Sequence, residues 1–171
     1  MAVSRYIVPD VPLIAQDLGM SCWYASTQML VQWRRQTTQS SEASFPDPSD
    51  VPDAVAMYKA NNGLSFAQMV AYSKMMGLVA VPGMSPTVET IADWLHVYGP
   101  IWAAGYKVTP NNKYGHVFVI RGIGPGEIVL HDPEPVGVGT MLVTSADSWL
   151  DMLLDIGRYG DVTTNFLHFP G

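Results

Sequence analysis

The stretch "HVFVIRGIGPGEIVLHDP", His116 to Pro133, holds two β-branched runs separated by a turn composition. Runs of Val and Ile bounded by Gly and Pro read as strands, and a spacer as short as "GPG" joins them as a hairpin. The pattern predicts antiparallel neighbours over 116–123 and 127–133. In such a pair the start of the first strand lies beside the end of the second. His116 and Asp132 are therefore expected side by side at one sheet edge.

The same alternation continues outward. "PIWAAGYKV" (100–108) precedes the hairpin and "GVGTMLVT" (137–144) follows it, with "TPNNKYG" and "PEPVG" as the turns between. Upstream of Gly99 the period changes from strand to helix. Ser21 is placed to cap a helix from Cys22 to about Arg35, whose apolar positions Cys22, Ala25, Met29, Leu30 and Trp33 recur at helical spacing. Residues 36–50 form a polar, Pro-containing loop, and 51–61 a short helix that stops at "NNG". Ser65 caps "FAQMVAYSKMM", and Thr87 begins "VETIADWLHVY", which Gly99-Pro100 ends. Residues 5–14 read as an extended lead-in; a helix at about 145–155 and an extended "TTNFLHF" close the chain. Helices first and a mostly antiparallel sheet after them define an α+β fold. One domain is expected over 1–171, with a helical part at about 15–99 and a sheet part at about 100–171.

Composition removes several function classes. Apolar residues make up 48% of the 171-residue chain and charged residues 14%, which excludes a disordered segment. A net charge of −6, with scattered basic residues, provides no cationic stripe for nucleic acid. No apolar run is long enough to span a membrane, and "MAVSRYIVPDVPLI" lacks the apolar core of a signal peptide. The protein is expected to be made in the cytoplasm without a signal peptide. Its single cysteine excludes an internal disulfide framework.

That cysteine, Cys22, sits in the first turn of the first helix. The site has two readings. Free cysteine is among the most buried residue types, so Cys22 can be a small core residue. A helix N-terminus also stabilises a thiolate, through the macrodipole and the unpaired first-turn amides, so Cys22 can be a nucleophile. A nucleophile needs a base, and His116, behind a glycine at the mouth of a strand, is the best placed of four histidines. His96 reads as half-exposed late in its helix, His168 as a strand residue with no polar neighbour in sequence, and His131 as structural. Asp132 could orient the imidazole, or could simply initiate an Asp-Pro turn. Gln16, in the loop before the helix, could donate its side-chain amide to a developing oxyanion. Trp23 and Trp102 are expected to pack near the site and shield it from water, or to be ordinary core aromatics.

Other chemistries lack the residues. One cysteine and dispersed histidines make poor zinc spacing, so no metal and no cofactor is expected. Neither a phosphate-binding G-x-x-x-x-G-K-[ST] nor a G-x-S-x-G elbow occurs.

Taken together, "SCWYAS", Gln16, "YGPIWAAG", "GHVFVIRGI" and "VLHDP" resemble the papain-like cysteine proteases, over roughly Val11 to Pro133. The likeness is nearer to the small bacterial members. These are the effector proteases of plant pathogens and the peptidases that remove double-glycine leaders. The resemblance implies a papain-like two-lobed fold, with Cys22 on a helical lobe, His116 and Asp132 on a sheet lobe, and a cleft between them. It implies a Cys22–His116–Asp132 triad with Gln16 in the oxyanion hole. Gly19 stands where papain has the first cysteine of its C-G-S-C-W pattern, so the disulfides of the secreted papains are missing.

The expected activity is that of a cysteine peptidase acting on a protein or peptide. The resemblance further implies an effector or toxin, delivered into a target cell by a specialised secretion system. Its substrate would carry small residues, Gly-Gly among them, at the scissile bond, and a cognate immunity protein would restrain it in the producer. The same triad could serve an amidase, a deamidase or a hydrolase of peptidoglycan peptides, and a binding module of papain-like shape would use none of it.

Overall fold

The computed structural model describes residues 3–38, 45–153 and 164–171. The first strand, β1 (Tyr6–Ile7), leads into α1 (Cys22–Thr38), a 3-10 turn (Pro48–Asp50), α2 (Pro52–Lys59) and α3 (Phe66–Met75). A short β2 (Val79–Ala80) and α4 (Val88–Tyr98) follow. The chain then enters the sheet through β3 (Ile101–Thr109), β4 (Asn112–Gly124), β5 (Glu127–Asp132) and β6 (Thr140–Ser145), before α5 (Ala146–Leu150) and β7 (Phe166–His168). The fold is α+β, and every strand pairing in its sheet is antiparallel.

The strand order is β2-β7-β3-β4-β5-β6, with β1 also on β4. β3 pairs with β4 as far as Ile101–Ile120, and beyond that point β1 takes its place opposite Gly122 and Ile123. The interior is one apolar cluster in which α1 and α4 both pack on β3 and β4. α1 is buried on more than the expected stripe, since Trp23, Tyr24 and Val31 are buried as well. The reason is that α1 is covered on both sides. Ser26 reaches the Val117 carbonyl on the sheet side, while Tyr72 of α3 donates to Thr27 at 2.8 Å and Tyr58 of α2 stacks on Tyr24.

Several boundaries differ from the sequence reading. "TPNNKYG" is not a loop: β3 and β4 run on as a ribbon to the Thr109–Asn112 pair, so the turn is only Pro110-Asn111. His116 thus lies inside β4 rather than at its mouth. β6 begins at Thr140, not Gly137, and β1 spans only two residues of the lead-in. Ser65 and Thr87 do start α3 and α4. The expected helix at 145–155 is described as Ala146–Leu150, and its last two residues, like part of the 36–50 loop and Thr163, lie outside the described residues.

Candidate active site

Cys22 opens α1, yet Ser21 does not cap the helix in the usual way. The Ser21 hydroxyl turns back to the Leu18 carbonyl at 3.1 Å and accepts from the Leu18 amide at 3.2 Å. Its own carbonyl receives Tyr24 and Ala25. Cys22 and Trp23, as leading residues, have no intrahelical acceptor for their amides, and the positive end of the helix is therefore directed at the thiol. The preceding loop is fixed by its neighbours. Tyr58 donates to Asp17 at 2.5 Å, Met20 N–H donates to Asn61 Oδ1 at 3.0 Å, and Asn61 adopts a left-handed φ of 50° to present that oxygen. Cys22 is half-buried on the wall of a cavity of about 480 Å³, which Met20, Trp23, Leu64, Tyr114, His116 and Glu134 also line.

His116 reaches the same cavity from β4. Its Nε2 lies 2.7 Å from Asp132 Oδ1, and both side chains are almost fully buried. The Cys22 side chain shares the cavity wall with the ring and acts on it electrostatically. With Nε2 taken by the carboxylate, Nδ1 is the ring nitrogen left for the thiol. The edge of the His116 ring packs against Phe118, 4.8 Å away between centroids. Across the ladder from His116 stands Gly105, where a Cβ would come within 3.2 Å of the Met152 carbonyl. Glycine there lets the 150–153 segment pair with β3, through a Gly105–Leu153 bridge and the Tyr106 amide on the Met152 carbonyl.

Asp132 is tied into a wider polar network. Its Oδ1 also accepts the Glu134 amide at 2.9 Å, and its Oδ2 accepts Lys107 Nζ at 2.7 Å. Lys107 donates in addition to Glu134 Oε2 at 2.6 Å, which in turn accepts Tyr114 OH at 2.7 Å. Lys107 and Tyr114 are direct cross-strand partners on β3 and β4, so they share a sheet face with Gly105 and His116.

This network sets the charge states. Burial works against the imidazolium, but the Asp132 hydrogen bond and the Cys22 side chain outweigh it and raise the His116 pKa to about 9. Burial likewise works against the Asp132 carboxylate. The His116 and Lys107 bonds overcome that and hold it below the ordinary carboxylate range. Glu134 is lowered in the same manner, against burial, by Lys107 and Tyr114. Tyr114 is pushed up to about 12, by burial first and by Glu134 second. At neutral pH the arrangement is an ionised carboxylate beside an imidazolium. His116, Asp132 and Glu134 also present ligand-type atoms within 4.8 Å of one another. Lys107 supplies the cation that joins the two carboxylates.

The structure thus brings Cys22, His116 and Asp132 together. Gln16 is close in the chain but differently engaged. Its backbone links to Pro133 and Gly137, while its Nε2 donates to the carbonyls of Leu18 at 3.0 Å and Gly19 at 3.1 Å. Its Oε1 is buried without a partner. Trp23 lines the cavity, whereas Trp102 lies behind it and donates its indole N–H to the Trp23 carbonyl at 3.2 Å. The other histidines are elsewhere: His96 stacks on Tyr6, His168 on Tyr98, and His131 joins the Pro12 carbonyl to Arg121. Tyr114 and Glu134 were not legible as site residues because their segments carry turn compositions, and Lys107 was not because nothing in its strand shows which groups its ammonium meets.

A family model described as papain-like cysteine protease AvrRpt2 matches residues 5–145, which include every residue placed above at the cavity. The match covers well over half of the chain, and the protein belongs to that family. No curated protein matches the chain.

Proposed function

From that membership, we propose that the protein is a peptidase whose nucleophile is Cys22, with His116 as general acid and base and Asp132 as the group that orients it. The helical part, about 15–99, and the sheet part, about 100–171, are then the two lobes of a single papain-like domain, with the cavity as its cleft. The carrying observation is that an imidazole bonded to a buried carboxylate shares a cavity wall with the only thiol in the chain.

The Cys22 thiolate attacks the peptide carbonyl carbon, and the carbonyl oxygen takes the electron pair. The His116 imidazolium gives its proton to the leaving amine as the C–N bond breaks, leaving an acyl-thioester. Water then attacks the thioester, His116 takes a proton from it, and the carboxylic acid and thiolate separate. Asp132 keeps the imidazole aligned through both steps. Oxyanion donors are the Cys22 amide and the Gln16 side chain. The latter role requires one of the two Gln16 amide hydrogens to be shared or released by the Leu18 and Gly19 carbonyls. Trp23 and Trp102 restrict water behind the thiol.

The substrate is a target-cell protein with small residues, Gly-Gly among them, at the scissile bond. The protein acts as an effector or toxin delivered by a specialised secretion system, with an immunity protein occupying the cleft in the producer. Among the described residues no helix is long and apolar enough to cross a membrane. The test is to incubate the chain and its Cys22→Ala variant with target-cell lysate and to label new protein N-termini. Cys22-dependent termini that follow small residues support the proposal. Release from purified peptidoglycan or glutamine deamidation, without new protein termini, would turn the same triad into an amidase. No turnover of any kind by a folded chain would leave a binding module.

A further inference from the structure

Asp132 is an unusual demand on a protein interior: a carboxylate 1% exposed, with four lone-pair directions to satisfy. Its Oδ1 is occupied by His116 and by the Glu134 amide, and the donor at Oδ2 is Lys107. Three donors from three directions leave the carboxylate one orientation. Remove Lys107 and Oδ2 becomes a buried, unsatisfied acceptor, which is the costly state for a polar group. A second carboxylate worsens this. Glu134 has a ligand-type oxygen within 4.8 Å of those of Asp132 and His116, and without a cation between them the two acids repel.

Lys107 is itself held in an unusual way. A lysine on an exposed ribbon ordinarily extends its ammonium into water. Here the side chain is 23% exposed and bonds two carboxylates, one of which Tyr114 fixes from the facing strand. The charged and titratable groups facing this cluster are Lys107 from β3, Tyr114 and His116 from β4, Asp132 and Glu134 from the end of β5 and the turn after it, and Cys22 from α1. Two carboxylates balance the ammonium and the imidazolium.

We infer that Lys107 is a positioning residue for the active site: its ammonium, steadied by Glu134 and Tyr114, aims the Asp132 carboxylate at His116. The inference rests on the proposed triad. It also means that the acid at position 132 and the lysine at 107 act as one unit, since an amide at 132 would need no counter-cation.

The lone cysteine makes the test direct, because the rate of alkylation of the folded chain by iodoacetamide reports Cys22 alone. That rate is measured against pH for the parent, His116→Ala, Asp132→Asn, Lys107→Met, Lys107→Arg and the Lys107→Met/Asp132→Asn double variant, with melting temperature recorded for each. The parent should be alkylated at mildly acid pH, and His116→Ala should lose that reactivity. Lys107→Met should move the acid limb up by about one pH unit, about a tenfold loss of rate at mildly acid pH. Lys107→Arg should restore most of it. In the Asp132→Asn background, Lys107→Met should change the rate by less than about twofold.

A Lys107→Met profile that overlays the parent, while His116→Ala is impaired, overturns the inference and leaves the triad standing. The same holds if Lys107→Met only lowers the melting temperature, or is fully additive with Asp132→Asn. An unimpaired His116→Ala overturns the triad and the inference with it. If Lys107→Met does not fold, Glu134→Gln and Tyr114→Phe loosen Lys107 from the other side. They should shift the acid limb in the same direction by less, and unchanged profiles for both overturn the inference.

Discussion

Asp132 faces His116 because β4 carries one more residue than β5 at Arg121. From the turn, Ile123 pairs with Ile128 and Gly122 with Val129, but the next pairs are Ile120 with Leu130 and Val119 with His131. An unbroken ladder would have set Asp132 opposite Val119, with its side chain on the sheet face away from His116. The bulge sets it opposite Phe118 instead, on the same face as His116 two residues further along.

Deleting Arg121 is therefore a sharper probe than replacing it. Arg121→Ala keeps the bulge and gives up the bonds to His131 and Val8, so it should cost about 1 kcal/mol of stability and spare peptidase activity. The deletion should remove the activity, because it restores the ladder that separates Asp132 from His116. Activity assays on both proteins, with melting temperatures alongside, check this. An active deletion variant would show that the facing of these two residues does not depend on the bulge.

The sequence made the partners legible but not their faces. A three-residue spacer forces two strands together, which is why His116 and Asp132 could be paired on paper. Whether they share a face depends on the parity of residues between them, and one bulged residue reverses it without any signature in composition. The β3–β4 ribbon was misread for another reason. Its tip is solvent-exposed on both faces, so "TPNNKYG" carries the polar composition of a loop although its backbone is laddered. Tyr114 lies inside that segment, whereas Lys107 stands in the strand before it, and its link to Asp132 depends on where the end of β5 falls. α1 was plain, since its apolar residues repeat at 3.6 and Cys22 begins it. The environment of Gln16 was not, because side-chain bonds to Leu18 and Gly19 depend on loop geometry that no pattern encodes.

Gly99 joins α4 to β3 and should tolerate no side chain. Its φ of 80° and ψ of −148° belong to a region open essentially to glycine alone, and a Cβ there would lie 2.1 Å from Trp33. The indole cannot retreat easily, because Trp33 is buried and donates to the Pro9 carbonyl at 3.1 Å. Gly99→Ala should cost about 3 kcal/mol or more. Gly115, beside His116, has nothing within 4 Å of a built Cβ, and Gly115→Ala should be within about 1 kcal/mol of the parent. Urea midpoints of the two variants separate these outcomes. Similar midpoints would contradict the packing described at Trp33.

Cys22→Ala should separate catalysis from folding. The thiol is half-buried at a cavity wall, so its loss removes little packed surface, and stability should change by no more than about 1 kcal/mol. Proteolysis should fall to background. Retained cleavage by Cys22→Ala would end the nucleophile assignment, whereas an unfolded Cys22→Ala would show that the side chain is chiefly structural.

Stability should depend on pH in a way that His116 and Asp132 dictate. The His116 pKa is raised from 6.5 to about 9, so the folded state binds the proton more tightly than the unfolded chain. Its contribution is fully present below 6.5 and lost as pH rises through about 9, worth up to about 3 kcal/mol. Asp132 is lowered from 3.8, so its contribution is present above that value and lost as pH falls through the folded one. Between 3.8 and 6.5 both contributions are present, and melting temperature should be highest there. His116→Gln should flatten the alkaline decline and reduce the acid one without removing it, because Lys107 still binds Asp132. A parent melting profile that stays level from pH 6.5 to 9 would mean that His116 is neutral in the folded protein, and the imidazolium–carboxylate pair with Asp132 would have to be given up.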